Sequence, residues 1–126
     1  MISNASDDLL FVEPEKRPVR VPVVDAITRR MTGAWRKRTR IEPGFRGIHH
    51  CTSERCYTSS DNYNYLVATA DGRVLTTNSL AIHYLAHHRD EVPTAELAKV
   101  AQLLADEERP TAEEMNTQTW PEESAR

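Results

Sequence analysis

The chain has two cysteines, Cys51 and Cys56, and three of its five histidines fall together in "TTNSLAIHYLAHHRDEVP", residues 76–93. Such a set constrains the fold more than any hydrophobic pattern, because a bound cation forces segments distant in sequence to meet. Cys51 and Cys56 form C-x4-C, within the spacing range for the first half of a Cys2His2 zinc site. Twenty-six residues separate Cys56 from His83, enough to contain a hairpin. Thiolate with imidazole suits tetrahedral Zn²⁺ better than a hard cation.

The size of the chain makes such a staple useful. Of 126 residues, 1–15 hold four acids and no base, and 105–126 hold seven acids and two bases. Segments of this kind bury too little apolar surface to offset their ordering entropy. The expectation is a flexible acidic N-terminus over 1–15, a single zinc-stabilised domain over 16–105, and a flexible acidic tail over 106–126. A core of about 90 residues gains from a metal or a partner chain.

Five elements follow from local pattern. "VRVPVV" (19–24) reads as an extended or edge segment because of Pro22. Asp25 caps a helix carrying Ile27, Met31 and Trp35 at helical spacing, with a weak point at Gly33. A Pro-Gly turn leads into a short strand near 45–50. Asp71-Gly72 closes a hairpin of strands near 63–69 and 73–77. Asn78 or Ser79 caps a helix over 80–91 that Pro93 stops. Thr94 caps a last helix over 95–105 with a stripe of Leu97, Val100, Ala101 and Leu104. The sum is a small single α+β domain with a hairpin or short antiparallel sheet, two C-terminal helices, a zinc site and mobile ends.

The helix histidines are not equivalent. His83 and His87 lie one turn apart on the edge of the apolar stripe, an ideal i, i+4 pair. His88 lies inside the stripe and meets His83 only if the last turn loosens, a spacing that zinc sites accept. His49, two residues before Cys51, shares its face on an extended strand and is a further alternative ligand.

The stretches "GIHHC", "CYTSSDNYNY" and "TNSLAIHYLAHHRDEVP" resemble a group of short bacterial proteins. Their shared pattern is G-x-H-x-C, then C with S-D-N beyond it, T-N-S-L-A-x-H-Y, and H-R-x-E-V-P. It covers residues 47–93. The resemblance implies no activity. It does imply His88, rather than His87, as the partner of His83, so the ligand set expected is Cys51, Cys56, His83 and His88.

Charge suggests a partner surface. Residues 29–40, "RRMTGAWRKRTR", carry six bases and no acid in a chain of net charge −3. Arg29, Arg30, Arg36, Lys37, Arg38 and Arg40 would rim an apolar anchor, Trp35, for another protein; nucleic acid is the other partner this segment suits. The bland alternative is a solvated face, or one that contacts the chain's own acidic tail. "SDN" (Ser60, Asp61, Asn62) reads as turn chemistry rather than a catalytic carboxylate, and Arg89 with Asp90 or Glu91 as a local ion pair or a tail contact.

No apolar run approaches the roughly 18 residues of a membrane span, and the first residues lack a secretory pattern. The expectation is therefore a cytoplasmic protein without a membrane partner. Gly-rich phosphate loops, H-E-x-x-H and G-x-S-x-G are missing. That favours a zinc-stabilised interaction module over the alternative, a small metal-dependent enzyme with three zinc ligands and a bound water.

Overall fold

A computed structural model describes residues 7–41, 50–54, 56, 58–61 and 63–117. It is a small α+β domain built on a four-stranded sheet of order β1 (Asp7–Asp8), β4 (Val74–Thr77), β3 (Tyr65–Ala68) and β2 (Thr39–Arg40). Strands β3 (Tyr65–Ala68) and β4 (Val74–Thr77) form the expected hairpin, and β2 (Thr39–Arg40) extends it antiparallel to β3. At the turn Gly72 takes φ +91, a conformation that costs glycine nothing. The Thr69 hydroxyl accepts from Arg73 N–H and bonds the Asp71 carboxylate, which closes the loop.

The remaining strand corrects an expectation. β1 (Asp7–Asp8) pairs parallel with β4, and Leu9 and Leu10 behind it are 0% exposed. Leu9 N–H donates to Thr76 O, and Thr77 Oγ1 donates to Leu9 O. So residues 7–15 are not a free acidic arm. Asp8, Glu13 and Glu15 are exposed, while Leu9 and Leu10 enter the core and offset the ordering entropy. Leu10 adopts φ +62, and its N–H donates to the Glu96 carboxylate at 2.8 Å.

Helix α1 (Ala26–Arg36) begins as expected, with Asp25 Oδ1 accepting from Thr28 N–H. It buries Met31, Ala34 and Trp35 against α2 (Ala81–His87), α3 (Thr94–Ala101) and the sheet. Residues 19–24 form no strand. Val19 N–H and Val23 N–H instead donate to the last carbonyls of α2, those of His87 and Ala86. Those carbonyls have no partner inside a helix, so the extended segment satisfies them.

The C-terminal part departs further from the sequence pattern. Helix α2 ends at His87 and is followed by a 3₁₀ turn, Arg89–Glu91, rather than running on to 91. Asn78 Oδ1 accepts from Leu80 N–H just before it. Helix α3 starts at Thr94, with Pro93 in the capping position, and stops at Ala101. Beyond it the chain pairs with the end of β3 through Thr69 and Leu103. Leu103 is therefore buried, whereas Leu104 is exposed.

The acidic tail is also corrected. Residues 106–117 lie along α1, and a short helix α4 (Ala112–Met115) packs on α2. Arg29 pairs with Glu107, and Arg36 with Glu108 and Glu114. Glu108 N–H donates to Arg29 O. Ion pairs and main-chain hydrogen bonds to α1 hold the tail, contacts that its low apolar content alone did not foretell. Thr111 and Glu114 form a complete capping box at the start of α4. The packed domain thus exceeds 16–105 at both ends. Residues 1–6 and 118–126 lie outside the described residues, as does most of the strand expected near 45–50.

Candidate metal centre

Two segments with no shared secondary structure supply the centre. The loop containing Cys51 and Cys56 is held on itself: Cys51 N–H donates to Thr58 O, and His50 forms an isolated bridge with Ser59. Helix α2 supplies His83, and the residue just past its end supplies His88. The four donor atoms lie within 4.8 Å of one another, and all four residues are buried.

The distances suit a tetrahedral cation. Cys56 Sγ is 3.2 Å from His83 Nε2, and Cys51 Sγ is 3.3 Å from His88 Nε2. Zinc bonds of ordinary length would put sulfur and nitrogen about 3.6 Å apart along a tetrahedral edge. The side chains therefore need only small adjustments to take an ion between them. Ser53 Oγ and Thr58 Oγ1 each lie 3.4 Å from the nearer sulfur, Cys51 and Cys56 respectively. Each hydroxyl stands two residues past its cysteine, a signal readable in the sequence but not singled out.

The helix end decides between His87 and His88. His88 has φ −134 and ψ 32, off the helical values. That loosened turn brings its ring beside His83, centroids 4.9 Å apart. His87 is spoken for elsewhere. Its Nδ1 donates to Val19 O at 2.6 Å, and its Nε2 lies 3.0 Å from Thr117 Oγ1. A carbonyl only accepts, so Nδ1 carries the proton and Nε2 takes the threonine hydroxyl. Burial pushes the His87 pKa below its ordinary value. His49 lies outside the described residues.

The outer contact of His83 also fits a metal. His83 Nδ1 is 3.0 Å from Met115 O and must donate to it, which leaves Nε2 as the lone-pair nitrogen facing Cys56. A ligating histidine is ordinarily fixed in this way through its other nitrogen. Sequence carries no signal for this contact, because the acceptor is a main-chain carbonyl from another helix. His88 Nδ1 is buried and makes no hydrogen bond among the described residues. The two thiols are tightly coupled. The hydrogen bond from Cys51 pulls the Cys56 thiol down, while Cys56 beside it and burial push the Cys51 thiol up. One thiolate thus forms more readily than the other, and a divalent cation bound here would supply the charge that stabilises the second. Burial, then the neighbouring thiols and Glu13, keep the Tyr84 phenol protonated.

The basic segment does not present the surface expected of it. Trp35 is 8% exposed; its ring meets Tyr65 edge-on at 4.8 Å, and the Arg38 guanidinium covers it at 4.1 Å. It is a core residue, not an anchor for a partner, because α1 turns that face toward the sheet. Arg29 and Arg36 pair with the tail, and Arg30 donates to Ala105 O. Lys37, Arg38 and Arg40 are exposed, with Arg40 stacked over Tyr63 at 4.2 Å.

Asp61 accepts from Tyr65 Oη and Tyr63 N–H, so it closes a turn. Arg89 reaches past its neighbours to grip Asp25 in a bidentate pair at 2.6 and 2.8 Å, which holds that carboxyl well below its usual range. Among the described residues no helix is long and apolar enough to cross a membrane. Comparison with protein-family models, curated proteins and solved structures found no match.

Proposed function

We propose that the chain is a zinc-stabilised interaction module. One Zn²⁺, bound by Cys51, Cys56, His83 and His88, ties the cysteine loop to α2. The observation that carries this reading is the convergence of four buried donors within 4.8 Å from two separate segments. A mixed thiolate and imidazole set selects zinc over hard cations. Four protein donors fill a tetrahedral shell, so the role is structural; the enzyme alternative needs an open position for water. Thiols kept as ligands suit a reducing compartment such as the cytoplasm. In this reading the solvent-facing remainder of the basic segment, Lys37, Arg38 and Arg40, meets an acidic face of a protein partner.

Elemental analysis of purified protein tests the metal, with about one zinc per chain expected. Cobalt exchange should give the absorption of a two-sulfur tetrahedral site. Cys51→Ser and Cys56→Ser should each lose the metal and melt lower, because structural metal binding contributes directly to folding free energy. Metal-free protein that melts unchanged would overturn the proposal. Retention of the protein on a nucleic-acid column with steep salt dependence would replace the protein partner with a polyanion.

A further inference from the structure

Residues 11–13 form a shared wall between two hollows. One, of about 370 Å³, runs beside the cysteine loop and is lined by Phe11, Val12, Glu13, His50, Asn78 and Tyr84. The other, of about 460 Å³, lies across the same wall and includes Asp8, Glu15, Glu91, Glu96 and one cation, Lys99, whose ammonium donates to the Asp8 carbonyl. Some of these acids already have work inside the fold. Glu91 accepts from Glu15 N–H and Lys16 N–H, and Glu96 takes Leu10 N–H and pairs with Lys99. The carboxylates of Asp8, Glu13 and Glu15 have no ion-pair partner among the described residues.

Acid alone would mark nothing more than a solvated rim. The second observation lies at the inner end of the first hollow. Asn78 is 2% exposed and Tyr84 3% exposed, yet both line it. The Asn78 oxygen is taken by Leu80 N–H. Its amide nitrogen and the Tyr84 hydroxyl find no hydrogen-bond partner among the described residues. Neither atom is among the fully enclosed unpaired ones, so both keep access to the hollow and offer a fixed donor and a donor-acceptor to whatever enters.

We infer that this cleft binds an extended cationic peptide segment of a partner protein. Asn78 and Tyr84 take a main-chain carbonyl, Phe11 and Val12 pack on an apolar side chain, and Glu13 with Glu15 and Asp8 meets lysine or arginine. The two hollows share Phe11, Val12 and Glu13 as lining, which favours a peptide that reaches into both over a small cation. A side-chain amide that must donate matches a peptide carbonyl, which a free polyamine lacks. The inference does not depend on the metal assignment, since no ligand to the metal takes part.

The test uses full-length chain, with melting curves confirming that each variant is folded. The probes are a labelled, end-blocked pentapeptide carrying lysine and arginine, its glutamate counterpart, and spermidine as competitor. The cationic peptide should bind, more weakly as salt rises, and the glutamate peptide should not. Glu13→Gln should weaken binding about 3-fold and flatten the salt dependence. Tyr84→Phe, which removes one oxygen, should weaken it about 5-fold without changing the salt slope. Glu113→Gln, on α4, should leave binding as it was. Equal binding of the two peptides, or insensitivity to both cleft variants, would overturn the inference. Competition by spermidine at the peptide's own affinity would assign the site to a small cation instead. Concentration-dependent self-association abolished by Glu13→Gln would assign it to a second copy of this chain.

Discussion

Replacing Gly33 with alanine sets two physical effects against each other. Glycine inside a helix costs about 1 kcal/mol relative to alanine, so the sequence alone predicts that Gly33→Ala stabilises α1. In the fold, however, the acidic tail crosses the helix at this residue. A Cβ built on Gly33 would stand 1.8 Å from the Asp106 carbonyl oxygen and 3.3 Å from Ala105 Cβ. The obstacle is backbone, so no rotamer change relieves it. The chain can strain locally, at about 1–3 kcal/mol for overpacking, or lift the tail away.

Lifting residues 105–108 sacrifices the Glu108 N–H bond to Arg29 O, the Arg30 bond to Ala105 O, and the exposed pairs of Arg29 with Glu107 and Arg36 with Glu108. Two hydrogen bonds at about 1 kcal/mol each, with surface pairs worth a few tenths, cap that route near 3 kcal/mol. The cheaper route sets the cost, and the propensity gain offsets part of it. The net expectation is a loss of about 1–2 kcal/mol, or a melting temperature lower by about 4–8 °C. Thermal unfolding of zinc-loaded protein at pH 7 measures it, and limited proteolysis should cut after Ala105 sooner in the variant. A higher melting temperature would refute the reasoning, since helix propensity would then have outweighed the tail crossing.

The histidines divide by role: His88→Ala should lose zinc, whereas His87→Ala should keep it and lose about 2 kcal/mol through the severed contacts to Val19 and Thr117. Metal content and melting temperature together read both outcomes, and zinc loss in His87→Ala alone would reverse the ligand assignment. For pH, the His87 pKa is lowered on folding, so its contribution is fully present above its ordinary 6.5 and is lost as pH falls through the folded value. Melting temperature should therefore decline below about pH 6.5, less steeply in His87→Gln with zinc content followed in parallel; equal slopes would count against it. Asp25, also lowered, adds stability above its ordinary 3.8 that is lost further into acid. Trp35→Ala should cost about 3–5 kcal/mol of stability because the ring is core, and a variant that melts like the parent would contradict that placement.

The candidate centre was readable because metal chemistry depends on residue type and spacing, both of which a sequence displays. The hairpin was readable for a similar reason. The turn at Asp71-Gly72 and the capping of α1 by Asp25 are local, closed by hydrogen bonds between residues no more than four apart. His88 was open to reading only through the resemblance, since helix periodicity favoured His87. The choice rests on where α2 ends and on two contacts from Val19 and Thr117.

What the tertiary structure alone decided are the pairings across long stretches of chain. Composition marks both ends as acidic and unable to order themselves. It cannot show that Leu9 and Leu10 have a place in the core, or that Arg29 and Arg36 wait for Glu107, Glu108 and Glu114. The same holds for Trp35, whose spacing on α1 suits an exposed anchor and a core residue equally. Only the sheet packed against that helix face settles which it is. Local propensity is a property of a few neighbouring residues, whereas burial and charge pairing depend on which distant segment arrives, and that depends on the whole chain folding at once.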